Sequence, residues 1–217
     1  MARSPLSLDA ESKRRLNRVL QAGIVVILGY GAATGNASIV VNGAFGLAIT
    51  FLPALIQRDY RLSVHPGLTL WITAAVLLHA VGFLGPYNDV WWWDHVTHTL
   101  SASIVAGVGY TTTRAIDEYL DAIYFPPRFM FVFILLFTLA FGVLWEVAEF
   151  GVRIVADALG LDPVLVQYSL EDTIVDLIFD GIGALIVALF GSRELSGLTE
   201  QLTARLEQSN RFRRDPK

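Results

Sequence analysis

The sequence has no cysteine and few charged residues, and each scarcity excludes a class of protein. Without cysteine the chain can form no disulfide bond, thiolate metal site or thiol nucleophile. Charged residues make up 17% of the 217 positions, against about a quarter in ordinary soluble domains, and 54% of the positions are hydrophobic. The mean hydropathy is positive. This composition argues against a water-soluble domain and favours a chain whose solvent is lipid.

An excess of basic charge is also missing. The formal net charge is -4, and the two terminal segments mix acidic with basic residues, so neither resembles a nucleic-acid-binding arm. We therefore expect no nucleic-acid partner. The expected partners are the lipid bilayer and a lipid-linked substrate.

Six mostly apolar stretches are each close to the roughly 20 residues that cross a bilayer as a helix. They predict an all-α polytopic membrane helix bundle of about six transmembrane helices, with no room for a second globular domain. We assign residues 1–18 to an N-terminal segment, 19–191 to the transmembrane domain and 192–217 to a C-terminal tail. The expected spans are Val19 to Thr34, Ala37 to Gln57, Gly67 to Gly85, Asp94 to Thr113, Phe129 to Phe150 and Asp172 to Gly191.

Basic residues indicate the orientation of these spans. Fifteen of the sixteen lysines and arginines lie in the two terminal segments and in the connections after the second and fourth spans. Connections rich in Lys and Arg stay in the cytoplasm, so both termini are expected there, in a multi-pass protein of the cell (plasma or inner) membrane. Arg153 is the exception, on the outer side.

Ionisable side chains recur in the outer halves of the last four spans. Each costs roughly 2.5 kcal/mol or more inside a membrane and so needs a partner or a polar cavity. Their spacing places them on common helix faces, because residues four apart are neighbours on a helix. The set comprises His79 in the third span, Asp94 and His98 in the fourth, Glu146 and Glu149 in the fifth, and Asp172, Asp176 and Asp180 in the sixth.

A group of carboxylates in a dry environment would repel itself, so either several are protonated or a cation is bound. Imidazole and carboxylate ligands suit a divalent metal such as zinc, iron or manganese. We expect the three deepest residues, His98, Glu146 and Asp176, to be ligands. The general base is left open between Glu149 and Asp172. Ligands or supporting groups around the metal are expected to be His79, Asp94, Glu149 and Asp172.

A structural explanation competes with the metal at several positions. Asp94 and Asp172 begin helices, where a carboxylate caps free N–H groups, and Ser169 followed by Asp172 resembles a capping box. Asp180 could be a protonated acid bonded to a neighbour. His95, about 100° around the helix from Asp94, is expected at the membrane interface.

Arg153 has two interpretations as well. It could contact a phosphate or carboxylate of a substrate, or it could form a helix-surface ion pair with Glu149 or Asp157, each four residues away. The segment from Gly151 to Ser169 is apolar for a loop and could cover the polar cluster. Gly160 is expected to stop a helix, and Asp162-Pro163 is expected to start one.

Part of the chain, about residues 75–191, resembles two related groups of membrane proteins. The Asp94-x-x-x-His98 spacing is similar to a signature of VanZ-like proteins. Their D-x-x-x-N-x-x-G motif resembles Asp176, Asp180 and Gly183, with Asp180 in place of the asparagine. YjdF-type inner-membrane proteins have L-H-x-x-G, D-x-x-x-H, E-x-x-E and D-x-x-x-D in this order. Here these motifs are Leu78-His79 to Gly82, Asp94 with His98, Glu146 with Glu149, and Asp172 with Asp176.

Three functions remain open at this point. The VanZ-like resemblance implies a role at the cell envelope, and the YjdF-type resemblance implies a fold without an assigned activity. We expect a metal-dependent hydrolase or transferase acting on a lipid or lipid-linked envelope substrate, because water activation needs a metal and a nearby base. The alternatives are an ion- or proton-coupled transporter and a non-catalytic membrane subunit or scaffold.

Overall fold

The computed structural model of the chain describes residues 8–120, 122–165 and 167–214. Within these residues every regular element is a helix, which confirms the all-α fold class. The helices are α1 Ala10–Thr34, α2 Ala37–Thr50, α3 Leu52–Tyr60, α4 Pro66–Gly82, α5 Pro86–Asp89, α6 Trp93–Tyr119, α7 Pro127–Leu159 and α8 Leu170–Arg214.

Four stretches of helix in the described residues are long and apolar enough to cross a membrane, and α4 is apolar but shorter. Helix α6, the expected fourth span, is long enough but less apolar because serine, threonine and histidine interrupt its hydrophobic residues. The count of six spans therefore stays a prediction. The four stretches are Ala10–Thr34, Ala37–Tyr60, Pro127–Leu159 and Leu170–Gly191.

Many large apolar side chains of these helices are exposed on the surface, which would be unfavourable in water. On α7, Leu136 and Leu144 are more than 60% exposed, while Thr138 on the same helix is 1% exposed. Large apolar residues outside and small or hydroxyl-bearing residues inside are typical of helices that pack in lipid. The pattern agrees with the membrane environment that the composition predicts.

The chain divides into two compact units, Met1–Trp93 and Asp94–Lys217. In the first unit α1, α2 and α4 pack around Ile27, Ile39 and Ala80. Asp9 and Asn36 cap the first two helices by accepting hydrogen bonds from Ser12 N and Ile39 N. This unit holds His79.

In the second unit α6, α7 and α8 pack around one small residue or aliphatic side chain from each helix: Ala106, Ile134 and Ala184. Two glycines allow close approach in this unit. A Cβ at Gly109 would lie 2.6 Å from the ring of Phe137, and a Cβ at Gly183 would lie 2.4 Å from the carbonyl oxygen of Thr99. Helices α6 and α8 therefore approach each other closely at Gly183.

Two expected boundaries near the segment between α7 and α8 differ in the structure. Helix α7 continues past Phe150 to Leu159 and ends at Gly160, whose positive φ of 66° terminates it as expected. The expected helix start at Asp162-Pro163 is wrong, because α8 begins at Leu170. Ser169 provides the stronger start signal, since its hydroxyl accepts a hydrogen bond from Asp172 N at 3.0 Å.

The segment expected as a C-terminal tail is helical as far as Arg214, and residues 1–7 and 215–217 lie outside the described residues. Leu195 and Thr199 on this extension of α8 are buried. The extension also contacts the end of α6, where the Thr203 hydroxyl donates to Glu118 Oε2 at 3.4 Å. Burial of one face explains why the helix does not end at the last apolar residue of the span.

Gly183→Ala is expected to lower the free energy of unfolding by about 1–3 kcal/mol, because the added methyl meets backbone that cannot move aside without separating two helices. Gly181→Ala on the same helix is the matched control, since its Cβ would meet only Leu139 Cδ2 at 3.9 Å. Thermal unfolding of both variants in detergent measures the difference. Equal stability of the two variants would contradict the close contact at Gly183.

Candidate metal centre

Three helices of the second unit bring polar side chains together. Asp94, His95 and His98 come from the first turns of α6, Glu146 and Glu149 from α7, and Asp172, Asp176 and Asp180 from α8. Asp176 is 2% exposed, and Glu146 and Asp180 are each 5% exposed. We call these eight residues the polar cluster.

His98 lies at the centre of the polar cluster. Its Nε2 is 3.7 Å from Asp94 Oδ1 and 3.9 Å from Asp176 Oδ2. One ligand atom from each of these three residues lies within 4.8 Å of the other two. Distances near 3.8 Å are too long for hydrogen bonds, so the three groups face one another across a gap.

The other ring nitrogen of His98 has a direct partner. Nδ1 lies 3.2 Å from Asp180 Oδ1, within hydrogen-bonding distance. The two imidazole nitrogens are thus distinct, since one meets a single carboxylate and the other faces two.

His95 packs against α8, a contact that its spacing from Asp94 did not predict. Its ring stacks on Phe179 at 4.5 Å between centroids with an interplanar angle of 4°, and Nδ1 lies 4.0 Å from Asp176 Oδ1. His95 therefore packs against α8. The reason is that α8 packs against the face of α6 formed by His95, Thr99 and Ala102, and Asp94 lies to one side of that face. The signal available in the sequence was the spacing of His95 from Ala102 and Ala106 along one face.

Glu146 is buried on the face of α7 that meets α8. The Thr173 hydroxyl donates to Glu146 Oε2 at 2.6 Å, and the Gln167 side-chain amide donates to the Thr173 oxygen at 3.0 Å. Glu146 Oε1 is buried without a hydrogen-bond partner among the described residues. Gln167, in the segment before α8, is therefore linked to Glu146 through Thr173, and the covering role of that segment stays a prediction.

The outer carboxylates of the polar cluster have local partners. Trp145 Nε1 donates to Glu149 Oε1 at 2.9 Å, and Tyr168 N donates to Asp172 Oδ2 at 3.4 Å. Asp172 also forms part of the expected cap through its own backbone N–H. Burial, together with the charges of Asp94, Asp172 and Glu149, raises the pKa of the Tyr168 hydroxyl, which therefore stays protonated at neutral pH.

Arg153 does not form the expected helix-surface ion pair. Within the described chain it has no salt bridge with Glu149 or Asp157, and its guanidinium lies 5.3 Å from the centre of the Phe150 ring. Its Nε is buried without a hydrogen-bond partner in the same residues. Arg153 is seven residues from Glu146 on α7, so the two lie on one face about 10 Å apart along the helix.

The structure thus brings together seven of the eight ionisable residues identified in the outer halves of the spans. His79 belongs to the first unit, where Nδ1 lies 2.6 Å from the Tyr87 hydroxyl and the ring contacts Phe83 edge-on. Its role as a ligand stays a prediction. Within the described residues, Asp94, His98 and Asp176 form a group whose ligand atoms could hold a metal ion.

A protein of Thermotoga maritima described as an uncharacterized protein is 27% identical to this chain over 201 residues, which is 88% of this chain and 95% of the relative. No solved structure matches the chain. A family model described as "Predicted membrane protein (DUF2238)" matches residues 16–197, and these include every residue of the polar cluster. The chain is a member of this membrane-protein family.

Proposed function

We propose that the chain is a metal-dependent membrane enzyme, a hydrolase or transferase acting on a lipid or lipid-linked envelope substrate. The observation that carries the proposal is the convergence of Asp94, His98 and Asp176 on one gap. A second observation supports it, because Asp176 Oδ1 is buried without a hydrogen-bond partner among the described residues. A buried carboxylate oxygen without a donor is costly unless a cation or a proton compensates it.

The donor set and its spacing fit a divalent metal. Ligand atoms bonded to one metal at about 2.0–2.2 Å lie roughly 3 to 4.4 Å apart, depending on the bond angle. The separations of 3.7 and 3.9 Å from His98 Nε2 fall in this range. One imidazole with two carboxylates suits zinc, iron or manganese. With three protein ligands, a coordination position stays open for water or substrate.

A metal held there would act as a Lewis acid and make a water molecule more acidic. Glu146 accepts a hydrogen bond from Thr173, which lies one helical turn before Asp176 on α8, and its unpartnered Oε1 would be the group that accepts a proton from that water. Glu149 and Asp172, the bases expected from the sequence, are held by Trp145 and by the start of α8. Because these hydrogen bonds hold Glu149 and Asp172 in place, we assign the two residues the role of orienting neighbouring groups.

The chemistry of Arg153 supports an anionic substrate. A guanidinium binds phosphate and carboxylate oxygens through several N–H groups, and that of Arg153 has no carboxylate partner within the described chain. Arg153 lies on the same face of α7 as Glu146, so a lipid headgroup bound to Arg153 would extend toward the metal. The distribution of lysine and arginine supports access from the extracytoplasmic leaflet of the cell membrane. The motifs that resemble YjdF-type and VanZ-like proteins contain Asp94, His98 and Asp176, the proposed ligands.

Glu146→Gln is expected to abolish turnover and to keep the metal, because glutamine preserves the shape and the Thr173 contact but cannot accept the proton. Cells with and without the gene are compared by lipid analysis, and the lipid that accumulates without it is given to the purified protein. The metal content of each variant is measured by elemental analysis. Glu171→Gln, which neutralises an exposed acid of α8, is the control and should behave as wild type.

The outcomes separate the three functions. Loss of metal in Glu146→Gln would make Glu146 a ligand, as the sequence predicts, and would leave the base to Glu149 or Asp172. A bound cation with unchanged lipids and with cation flux in proteoliposomes would favour the transporter. Absence of any stoichiometric metal from wild-type protein would overturn the proposal and leave the scaffold.

A further inference from the structure

We propose that Asp180 positions His98 for metal binding and that Gly142 provides the space in which Asp180 does so. The sequence gives Asp180 only a motif position and a structural interpretation, and nothing in it singles out Gly142. The inference rests on the proposed metal site, because a positioned imidazole has this purpose only where Nε2 is a ligand.

The geometry at His98 carries the first step. An ionised Asp180 can only accept a hydrogen bond, so in that state the 3.2 Å contact places the proton on Nδ1 of His98. With Nδ1 protonated, Nε2 of the neutral ring presents its lone pair to Asp94 and Asp176, at 3.7 and 3.9 Å. A carboxylate behind a metal-binding histidine fixes both tautomer and ring orientation.

The contact between α7 and α8 carries the second step. Asp180 is 5% exposed, and a Cβ added at Gly142 would lie 2.2 Å from Asp180 Oδ2 and 3.0 Å from Leu177 Cδ2. No other residue type fits at position 142 unless the carboxylate moves. Any side chain there would push Asp180 away from its present position and disturb its bond to His98.

Four variants of the full-length protein in detergent test the inference. Asp180→Leu removes the acceptor, Asp180→Asn keeps an acceptor oxygen without the charge, and Gly142→Ala displaces the carboxylate without changing any ionisable group. Gly151→Ala is the matched control on α7, because its Cβ would meet nothing within 4 Å. The affinity for Zn²⁺ is measured by competition with a chelator.

We expect about 10- to 100-fold weaker Zn²⁺ binding in Asp180→Leu and Gly142→Ala, the usual cost of losing such a carboxylate, with a smaller loss in Asp180→Asn. Gly151→Ala should bind as wild type. A residue with a purely structural role would lower the thermal stability and leave the affinity of the folded protein unchanged. Wild-type affinity in both Asp180→Leu and Gly142→Ala would overturn the inference while the metal site stands.

A spectroscopic measurement tests the hydrogen bond without any metal. The chain has four histidines, so ¹⁵N-histidine spectra can be assigned by single substitution. We expect a slowly exchanging proton on Nδ1 of His98 that is absent from Asp180→Leu. Its persistence in Asp180→Leu would overturn the inference whether or not wild-type protein bound metal. If wild-type protein bound no metal while the proton still depended on Asp180, the proposed function would fail, and only the orientation of His98 by Asp180 would stand.

Discussion

Asp176→Asn is expected to weaken metal binding more than substitution of the outer carboxylates Glu149 and Asp172 does. It should leave the metal-free protein at least as stable as wild type. Asp176 is 2% exposed and faces His98 with one oxygen while the other has no hydrogen-bond partner in the described residues. Removing a ligand should exceed the roughly 10- to 100-fold loss that follows from removing a supporting carboxylate. The affinity would therefore fall by more than 100-fold.

The expected stability of the metal-free Asp176→Asn protein follows from the charge balance around His98. Three acids, Asp94, Asp176 and Asp180, surround one imidazole, so full ionisation of the metal-free cluster would leave more negative than positive charge. Neutralising one acid lowers this repulsion and leaves two acids beside His98. A residue that serves only to fasten helices together would show the opposite, a loss of stability without metal.

Two measurements on the same preparation check both halves: Zn²⁺ affinity by chelator competition, and thermal unfolding in the presence of the chelator. Glu171→Gln removes an exposed acid from the same helix and should change neither quantity. A metal-free Asp176→Asn protein that unfolds at a clearly lower temperature than wild type, with Zn²⁺ affinity unchanged, would contradict the metal site.

Saturating metal is expected to stabilise the wild-type protein strongly, and a chelator should reverse the effect. A ligand that binds only the folded state stabilises it by about 2.7 kcal/mol at 100 times its dissociation constant, and by about 4.1 kcal/mol at 1,000 times. The unfolded chain separates α6 from α8 and so loses the arrangement of Asp94, His98 and Asp176. The transition temperature should therefore rise with Zn²⁺ concentration without reaching a plateau at stoichiometric metal.

The pH dependence of this stabilisation has a definite sign. Imidazole and carboxylate bind metal only when deprotonated, so protons and metal compete for the same atoms. The stabilisation by a given Zn²⁺ concentration should decrease as the pH falls from 7.5 to 5.5. His98→Ala is the control, because it removes the central ligand and should show no metal-dependent shift at either pH. An equal shift in His98→Ala would mean that the metal binds elsewhere.

Some of this site is predictable from the sequence because helix geometry is local. Residues four apart lie on one face of any α-helix, so Asp94 beside His98 and the row from Asp172 to Asp180 follow from spacing alone. The cost of burying charge in a membrane then identifies the same residues as needing a common partner. The cap at Ser169 and the stop at Gly160 are equally local, and both are present.

Other features depend on how one helix is rotated against the next. His95 faces Asp176, although its neighbour Asp94 seemed to define the inner face of α6. Helix α8 could not approach α6 so closely without Gly183, and this contact turns His95 and Thr99 toward it. Sequence spacing carries no information about that rotation, because it is set by contacts between residues distant in the chain.

The sequence by itself determined the lipid environment, the helical fold class and the faces on which the ionisable residues lie, since these follow from composition and from the periodicity of a single helix. Only the tertiary structure decided that Asp94, His98 and Asp176 share one gap, that Asp180 contacts the far side of His98, and that Glu146 bonds Thr173. The physical reason is packing: small residues such as Gly142 and Gly183 set the distance between helices, and that distance selects which side chains meet.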